Sequence, residues 1–134
     1  MKQLPSYQEM ERAMGARDAS YDGVFYLAVR TTGIFCRPSC PARRPLVENV
    51  ESFAGTEDAV FAGYRPCKRC LPLHVGVAPP DSIERLLERV DASPGERIPD
   101  AEVRAMGIEP SRVRRYFQQR FGMTFQAYCR GRRL

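Results

Sequence analysis

The chain has 134 residues, 43% of them hydrophobic and 28% charged, with a formal net charge of +5. That length suits one ordinary domain or two very small ones, and the hydrophobic share excludes a disordered chain. No apolar run approaches transmembrane length, and the opening MKQLPSYQEM has no apolar signal-peptide core, so no membrane partner and a cytoplasmic location are expected.

Taken in chain order, Tyr7, Met10 and Met14 recur at near-helical spacing and predict a short helix. Val24–Arg30 (VFYLAVR) is rich in strand-favouring residues. Ile34–Cys36 continues the sheet after a turn at Gly33, and Val47–Phe53 is a weaker strand. Thr56 reads as the N-cap of a short helix ending at Gly63. Phe25, Tyr26 and Phe35 read as core. The stretch HVGVAPP, residues 74–80, reads as a linker, because its two prolines continue neither a helix nor a central strand. His74 belongs to that linker. Asp81 can then cap a helix carrying Ile83, Leu86, Leu87 and Val90, which Ser93–Gly95 breaks. Pro99 fits the first turn of a second helix ended by Gly107, and Pro110 opens a third with Val113, Phe117 and Phe121 on one stripe. The expected fold class is a small α+β unit over residues 1–73, the linker 74–80, and an all-α unit over 81–134.

Charge is unevenly distributed. From Ser111 to Leu134 there are seven arginines (112, 114, 115, 120, 130, 132 and 133) and no acid, a pattern suited to a polyanion. A solvated helix face is the plainer reading, but such faces usually mix signs.

Five cysteines in a reducing compartment read as metal ligands or reactive thiols rather than disulfides. Four are paired as Cys36-x3-Cys40 and, after 26 intervening residues, Cys67-x2-Cys70. Two close pairs bring four thiolates together at little loop-closure cost. Tetrahedral sulfur selects one zinc ion or, less often, an iron–sulfur cluster. Pro38 and Pro66 favour turns that point the sulfurs inward. A closed, structural site is the ordinary outcome of such a quartet. The ligand loops nevertheless carry Arg37, Arg43, Arg44, Arg65, Lys68 and Arg69, which a staple does not require. Four thiolates on a divalent ion sum to −2, which leaves at least one sulfur electron-rich, and the cations can draw a phosphate near it. Cys129, in FQAYCR, reads as a small buried hydrophobe.

Two segments are recognisable. RTTGIFCRPSCPAR (Arg30–Arg43) and GYRPCKRC (Gly63–Cys70) resemble the N-terminal domain of the Ada family, bacterial regulators of the adaptive response to alkylation damage. The segment RVRRYFQQRFGMTFQAYCRGRRL resembles the first helix-turn-helix of an AraC-type DNA-binding domain, which assigns that unit to residues 81–134. The resemblance implies a single-turnover methyltransferase. A zinc-bound cysteine takes the methyl group of a DNA methylphosphotriester irreversibly, and the family's acceptor falls on Cys36, with Cys40, Cys67 and Cys70 as the other ligands. Thr32, Arg43 and Arg65 match positions that the family uses to hold the DNA backbone. Arg37, Lys68 and Arg69 join them on local charge.

The implied partners are double-stranded DNA, both damaged backbone and promoter, and RNA polymerase, with the chain a monomer at the bacterial nucleoid. On the proposed recognition helix, Arg112, Arg115 and Gln119 lie at i, i+3 and i+7, on one face, where they can reach base edges. Methylation would take the site from −2 to −1 and raise DNA affinity, the family's switch from repair to activation. An AraC-type domain has two helix-turn-helix units where this sequence has one, and the cysteine motif of an O6-methylguanine methyltransferase domain is absent from it. The chain therefore reads as a fragment or a natural short form. Two other functions fit the same residues: a zinc-stapled transcription factor without methyl transfer, and a redox or metal-sensing switch, which the cationic loops disfavour.

Overall fold

The computed structural model describes residues 3–43, 45–76 and 78–132. The first helix, α1 (Tyr7–Ala16), begins where the Ser6 hydroxyl accepts the Glu9 N–H at 3.2 Å. It ends at Arg17 in the left-handed conformation. Met10 and Ala13 are its buried residues and pack with Phe25. Tyr7, expected on the apolar stripe, is 62% exposed; Ala13 supplies the inward position instead.

Four strands follow: β1 (Tyr26–Val29), β2 (Ile34–Cys36), β3 (Val50–Phe53) and β4 (Arg65–Pro66). Their order in the sheet is β3-β1-β2-β4. The outer pairing of β2 with β4 is parallel and the others are antiparallel. Gly33, at φ 73°, makes the β1–β2 turn, its N–H bonding the Val29 carbonyl at 2.9 Å. The strand expected over Val47–Phe53 starts only at Val50, after a 3-10 turn over Val47–Asn49. The reason lies in the partner: β1 pairs Val29 with Val50 and then turns away, so nothing extends the ladder to residue 47.

Between β3 and β4 lies α2 (Thr56–Phe61). Its N-cap is Gly55 rather than Thr56, which is the first helical residue and is buried. In the second half, α3 (Asp81–Ala92), α4 (Asp100–Ala105), α5 (Pro110–Phe121) and α6 (Phe125–Arg130) follow. Pro80 rather than Asp81 is the cap of α3, and Pro99, expected in the first turn of α4, is its cap, so α3 starts one residue earlier and α4 one residue later than expected. Asp81 and Asp100 therefore sit in the first turns, where their charge complements the helix dipole. Pro110 opens α5 as expected, and Thr124 caps α6.

The fold is thus α+β in the first half and helical in the second. One apolar core runs through both. Tyr26, Ala28, Phe35, Val60 and Tyr64 share it with Ile83, Leu86, Val90, Phe117 and Tyr128. Phe117 is its aromatic hub, with the Phe125 and Tyr128 rings each 5.0 Å away. Two residues of the expected linker are tied to this body. His74 bonds Glu84 on α3, and Pro79 is buried. Cys129 is fully buried, as a small hydrophobe should be, and burial pushes its thiol up to about 11.

The seam is also clamped by a buried cation. Arg132 donates to the carbonyls of Tyr128, Val60 and Tyr64, each at 2.6 Å. Its guanidinium lies 4.0 Å from the Tyr128 ring centroid. Three carbonyls converge on it in low-dielectric surroundings. Arg132→Ala should cost roughly 3 kcal/mol, read as a lower urea midpoint, with the two halves losing cooperativity. An unchanged midpoint would refute the clamp.

Candidate metal centre

The sheet assembles the four cysteines. Cys36 ends β2 and Cys67 follows β4 directly, so the parallel pairing of these strands sets the two cysteine pairs side by side. The Cys67 N–H bonds the Phe35 carbonyl at 3.0 Å. Each pair then closes through a tight turn: the Cys40 N–H bonds the Arg37 carbonyl at 3.1 Å, and the Leu71 N–H bonds the Cys67 carbonyl at 3.1 Å. Leu71 takes the left-handed conformation, φ 51°, to complete the second turn.

All four sulfurs lie within 4.8 Å of one another, and Cys40 Sγ and Cys67 Sγ are 4.0 Å apart. A tetrahedron with zinc–sulfur bonds of about 2.3 Å has sulfur–sulfur edges of roughly 3.8 Å. The quartet is near that size, buried, and all sulfur. It suits one zinc ion held by Cys36, Cys40, Cys67 and Cys70.

The sulfurs are unequal. Cys36 is held protonated by its hydrogen bond to Cys67, then by that to Cys70 and by burial. Cys67 is pulled well below the usual thiol range, first by the bond from Cys36 and then by that from Cys70. Main-chain N–H groups of Cys70 and Arg69 add to this. For Cys70, the bond from Cys36 pulls down, but the bond to Cys67 and burial outweigh it and push the thiol up to about 12.

Beside the quartet opens a groove of about 840 Å³. Cys36, Cys40 and Cys67 line it; Cys70, 2% exposed, does not. Thr32, Arg37, Arg43, Arg65, Lys68 and Arg69 all line it, as does Arg17, which sequence reasoning missed. Between them the wall is apolar, with Leu27, Ile34, Pro38 and Pro66. Arg44 lies outside the described residues.

Not all of these cations are free. Arg37 forms an ion pair with Asp22 at 3.0 Å, and the Ser39 hydroxyl donates to the same carboxylate at 2.7 Å. Asp22 therefore fastens the Cys36–Cys40 loop, a role that an acid in a turn before a strand does not advertise. Arg65 donates to the Thr32 carbonyl at 3.0 Å, and Arg17 to the Ala42 carbonyl at 3.3 Å. Asp91, on α3, is a further lining residue without a sequence signal.

On α5, Arg112, Arg115 and Gln119 are exposed, opposite buried Val113, Phe117 and Phe121. None of the three lines the groove. The basic C-terminal segment is less available than its composition suggests: Arg132 is the buried clamp, Arg114 pairs with Asp100 at 3.3 Å, and Arg133 lies outside the described residues. No helix among the described residues is long and apolar enough to cross a membrane.

Fold and site together define a four-cysteine zinc-binding unit joined to a helical unit. Residues 9–72 match the family described as the metal-binding domain of Ada. The bifunctional transcriptional activator/DNA repair enzyme Ada of Escherichia coli K12 is 43% identical over 127 residues, covering 89% of this chain and 35% of that protein. AdaA of Bacillus subtilis 168, named in the same way, is 35% identical over 121 residues, covering 90% of this chain and 57% of that protein. Among solved structures, the crystal structure of the methylated N-Ada/DNA complex matches with TM-score 0.50 and 34% identity, over 92% of this chain and 95% of that one. The chain belongs to the Ada family. It spans between about a third and just over half the length of these two curated relatives.

Zinc uptake by this quartet must expel more than one proton, since both Cys36 and Cys70 hold theirs at neutral pH. Zinc affinity should therefore fall more than tenfold per unit drop in pH between about pH 8 and pH 6. Competition with a chromophoric chelator measures this slope. A slope of tenfold or less would count against a four-thiolate site.

Proposed function

We propose that the chain repairs DNA methylphosphotriesters by irreversible transfer of the methyl group to Cys36, and that the repaired form regulates transcription by binding DNA. One observation carries the reading: Cys36 opens onto a cation-lined groove, while Cys70 is withdrawn from it and Cys67 is quenched. Cys70 is outside the groove and accepts the Arg37 N–H at 3.3 Å. Cys67 accepts main-chain N–H groups of Cys70 and Arg69, which drain charge from its sulfur. Cys36 and Cys40 remain, and both line the groove. Between these two, the family resemblance selects Cys36.

In this reading Arg43, Arg65, Lys68 and Arg69 hold the phosphates flanking the lesion, with Thr32 beside them. Arg37, fastened by Asp22, keeps the acceptor loop in place and contributes less net charge. When bound, zinc keeps the sulfurs deprotonated at neutral pH. The Cys36 sulfur attacks the methyl carbon as its S–C bond forms and the C–O bond to the phosphate breaks. The bonding pair leaves with oxygen, giving an ordinary phosphodiester anion and S-methylcysteine. Arg112, Arg115 and Gln119 form the base-reading face of α5 in the major groove. The partners are double-stranded DNA and, for transcription, RNA polymerase, with the chain a monomer at the nucleoid. The exposed α5 face also fits a zinc-stapled transcription factor without methyl transfer, and the first experiment below separates the two.

Incubation with methylphosphotriester DNA should add one methyl group to the intact mass of the parent protein and of Cys129→Ser, and none to Cys36→Ala. The metal content of each variant must be measured alongside, because a lost ligand can also empty or unfold the site. Methyl uptake by a metal-loaded Cys36→Ala protein would move the acceptor to Cys40. No uptake by the parent would leave the transcription-factor reading.

Methylation should also raise affinity for undamaged duplex by removing one negative charge from beneath the cations. Salt screens such interactions over ~10 Å at ordinary ionic strength, so the gain should shrink as salt rises. Affinities of both forms across a salt series test this; a salt-independent gain would assign the effect to apolar contact instead.

A further inference from the structure

The groove beside the cysteines is lined by six cationic side chains and, among the described residues, a single carboxylate, Asp91. All six cations belong to the first half of the chain, whereas Asp91 reaches the groove from α3 in the second. It is half-buried, and its Oδ1 has neither solvent nor a hydrogen-bond partner. No ion pair closes on it within 4.0 Å among the described residues. Burial raises its pKa, while Lys68, Arg65 and Arg132 act against that rise. The Arg65 Nε nearby is also buried and unpaired.

An unpaired, partly buried carboxylate is a burden on stability, and the amide of Asn fills the same volume without the charge. Its value must therefore lie in what the charge acts on. The neighbouring cations, Arg65 and Lys68, attract any phosphate that enters. An ordinary phosphodiester carries −1, whereas a methylphosphotriester is neutral. A fixed negative charge among those cations penalises the first and leaves the second nearly untouched.

We propose that Asp91 is a specificity-determining residue, whose carboxylate disfavours undamaged phosphodiesters at the reacting position and so reserves the groove for the neutral triester. The proposal rests on the methyl-transfer reading above. It also gives the helical half a direct part in lesion recognition, because the discriminating charge sits on α3.

The test compares the zinc-loaded full chain with Asp91→Asn and with Glu88→Gln, an exposed acid one turn earlier on α3 that does not line the groove. Asp91→Asn should bind undamaged duplex about three- to tenfold more tightly at low salt. The concentration of undamaged duplex that halves methyl uptake should drop by the same factor. Glu88→Gln should change neither. Zinc content and melting temperature are measured for each protein, and Asp91→Ser replaces the amide if Asp91→Asn does not fold. Unchanged affinity in a folded Asp91 variant, or an equal gain from Glu88→Gln, overturns the proposal while methyl uptake by the parent stands. Failure of the parent to take up methyl overturns the repair reading itself, and the lesion specificity of Asp91 with it.

Discussion

Four sulfurs packed within 4.8 Å of one another cannot all be thiolates unless a cation sits among them. That constraint governs the first half of the molecule. Its sheet has four short strands, the last only two residues long, and much of the surrounding chain is irregular. A core of this size is a weak guarantee of structure by itself. The metal supplies the missing cohesion. The two-residue strand β4 owes its importance to it, because pairing with β2 is what brings the second cysteine pair beside the first.

The same constraint sets the chemistry. A quartet with net charge −2 repels anions, yet it is ringed by arginines and a lysine that attract them. The two tendencies cancel differently for different ligands. A charged phosphodiester meets attraction and repulsion together, whereas a neutral ester meets chiefly the polar contacts. Discrimination by charge therefore needs no pocket shaped around a methyl group. The division among the sulfurs refines this. Main-chain N–H groups lower the electron density of Cys67 and Cys70, which within the proposed function leaves Cys36 and Cys40 as the electron-rich sulfurs on the groove.

Much of this was legible in the sequence, and the limits have physical causes. The paired spacing of Cys36, Cys40, Cys67 and Cys70 marks the ligands because close pairs are cheap to close. The stripes at Ile83, Leu86, Leu87 and Val90, and at Val113, Phe117 and Phe121, mark α3 and α5 because helical period is a local property. Long-range partners leave no such trace. Arg132 sits in a run of arginines and reads as solvated, yet it is buried because three carbonyls distant in sequence or at a helix end converge on it. Asp22 and Asp91 are invisible for the same reason. The strand Arg65–Pro66 is too short for alternation and contains a residue that strands usually reject. Thr56 illustrates the opposite case: a good capping residue was available, but the chain entered the helix one residue earlier and buried it.

The shared core bears on how methylation could be felt elsewhere in the molecule. A switch that swings one half against the other needs an interface with two comparably stable arrangements. Here the seam is a continuous apolar core, with Phe35, Tyr64 and Val60 on one side and Phe117, Tyr128 and Leu86 on the other. A buried guanidinium crosses it. Breaking that packing exposes large aromatic surface and strands polar groups, whereas adding one methyl group to a sulfur at the groove changes little volume. The larger perturbation available at the site is electrostatic: a full unit of charge removed beside Arg65 and Lys68, with Asp91 of α3 on the same groove. Within the proposed function, a rigid seam and a local charge change therefore favour a switch that alters how strongly the surface holds DNA while leaving the fold as it is.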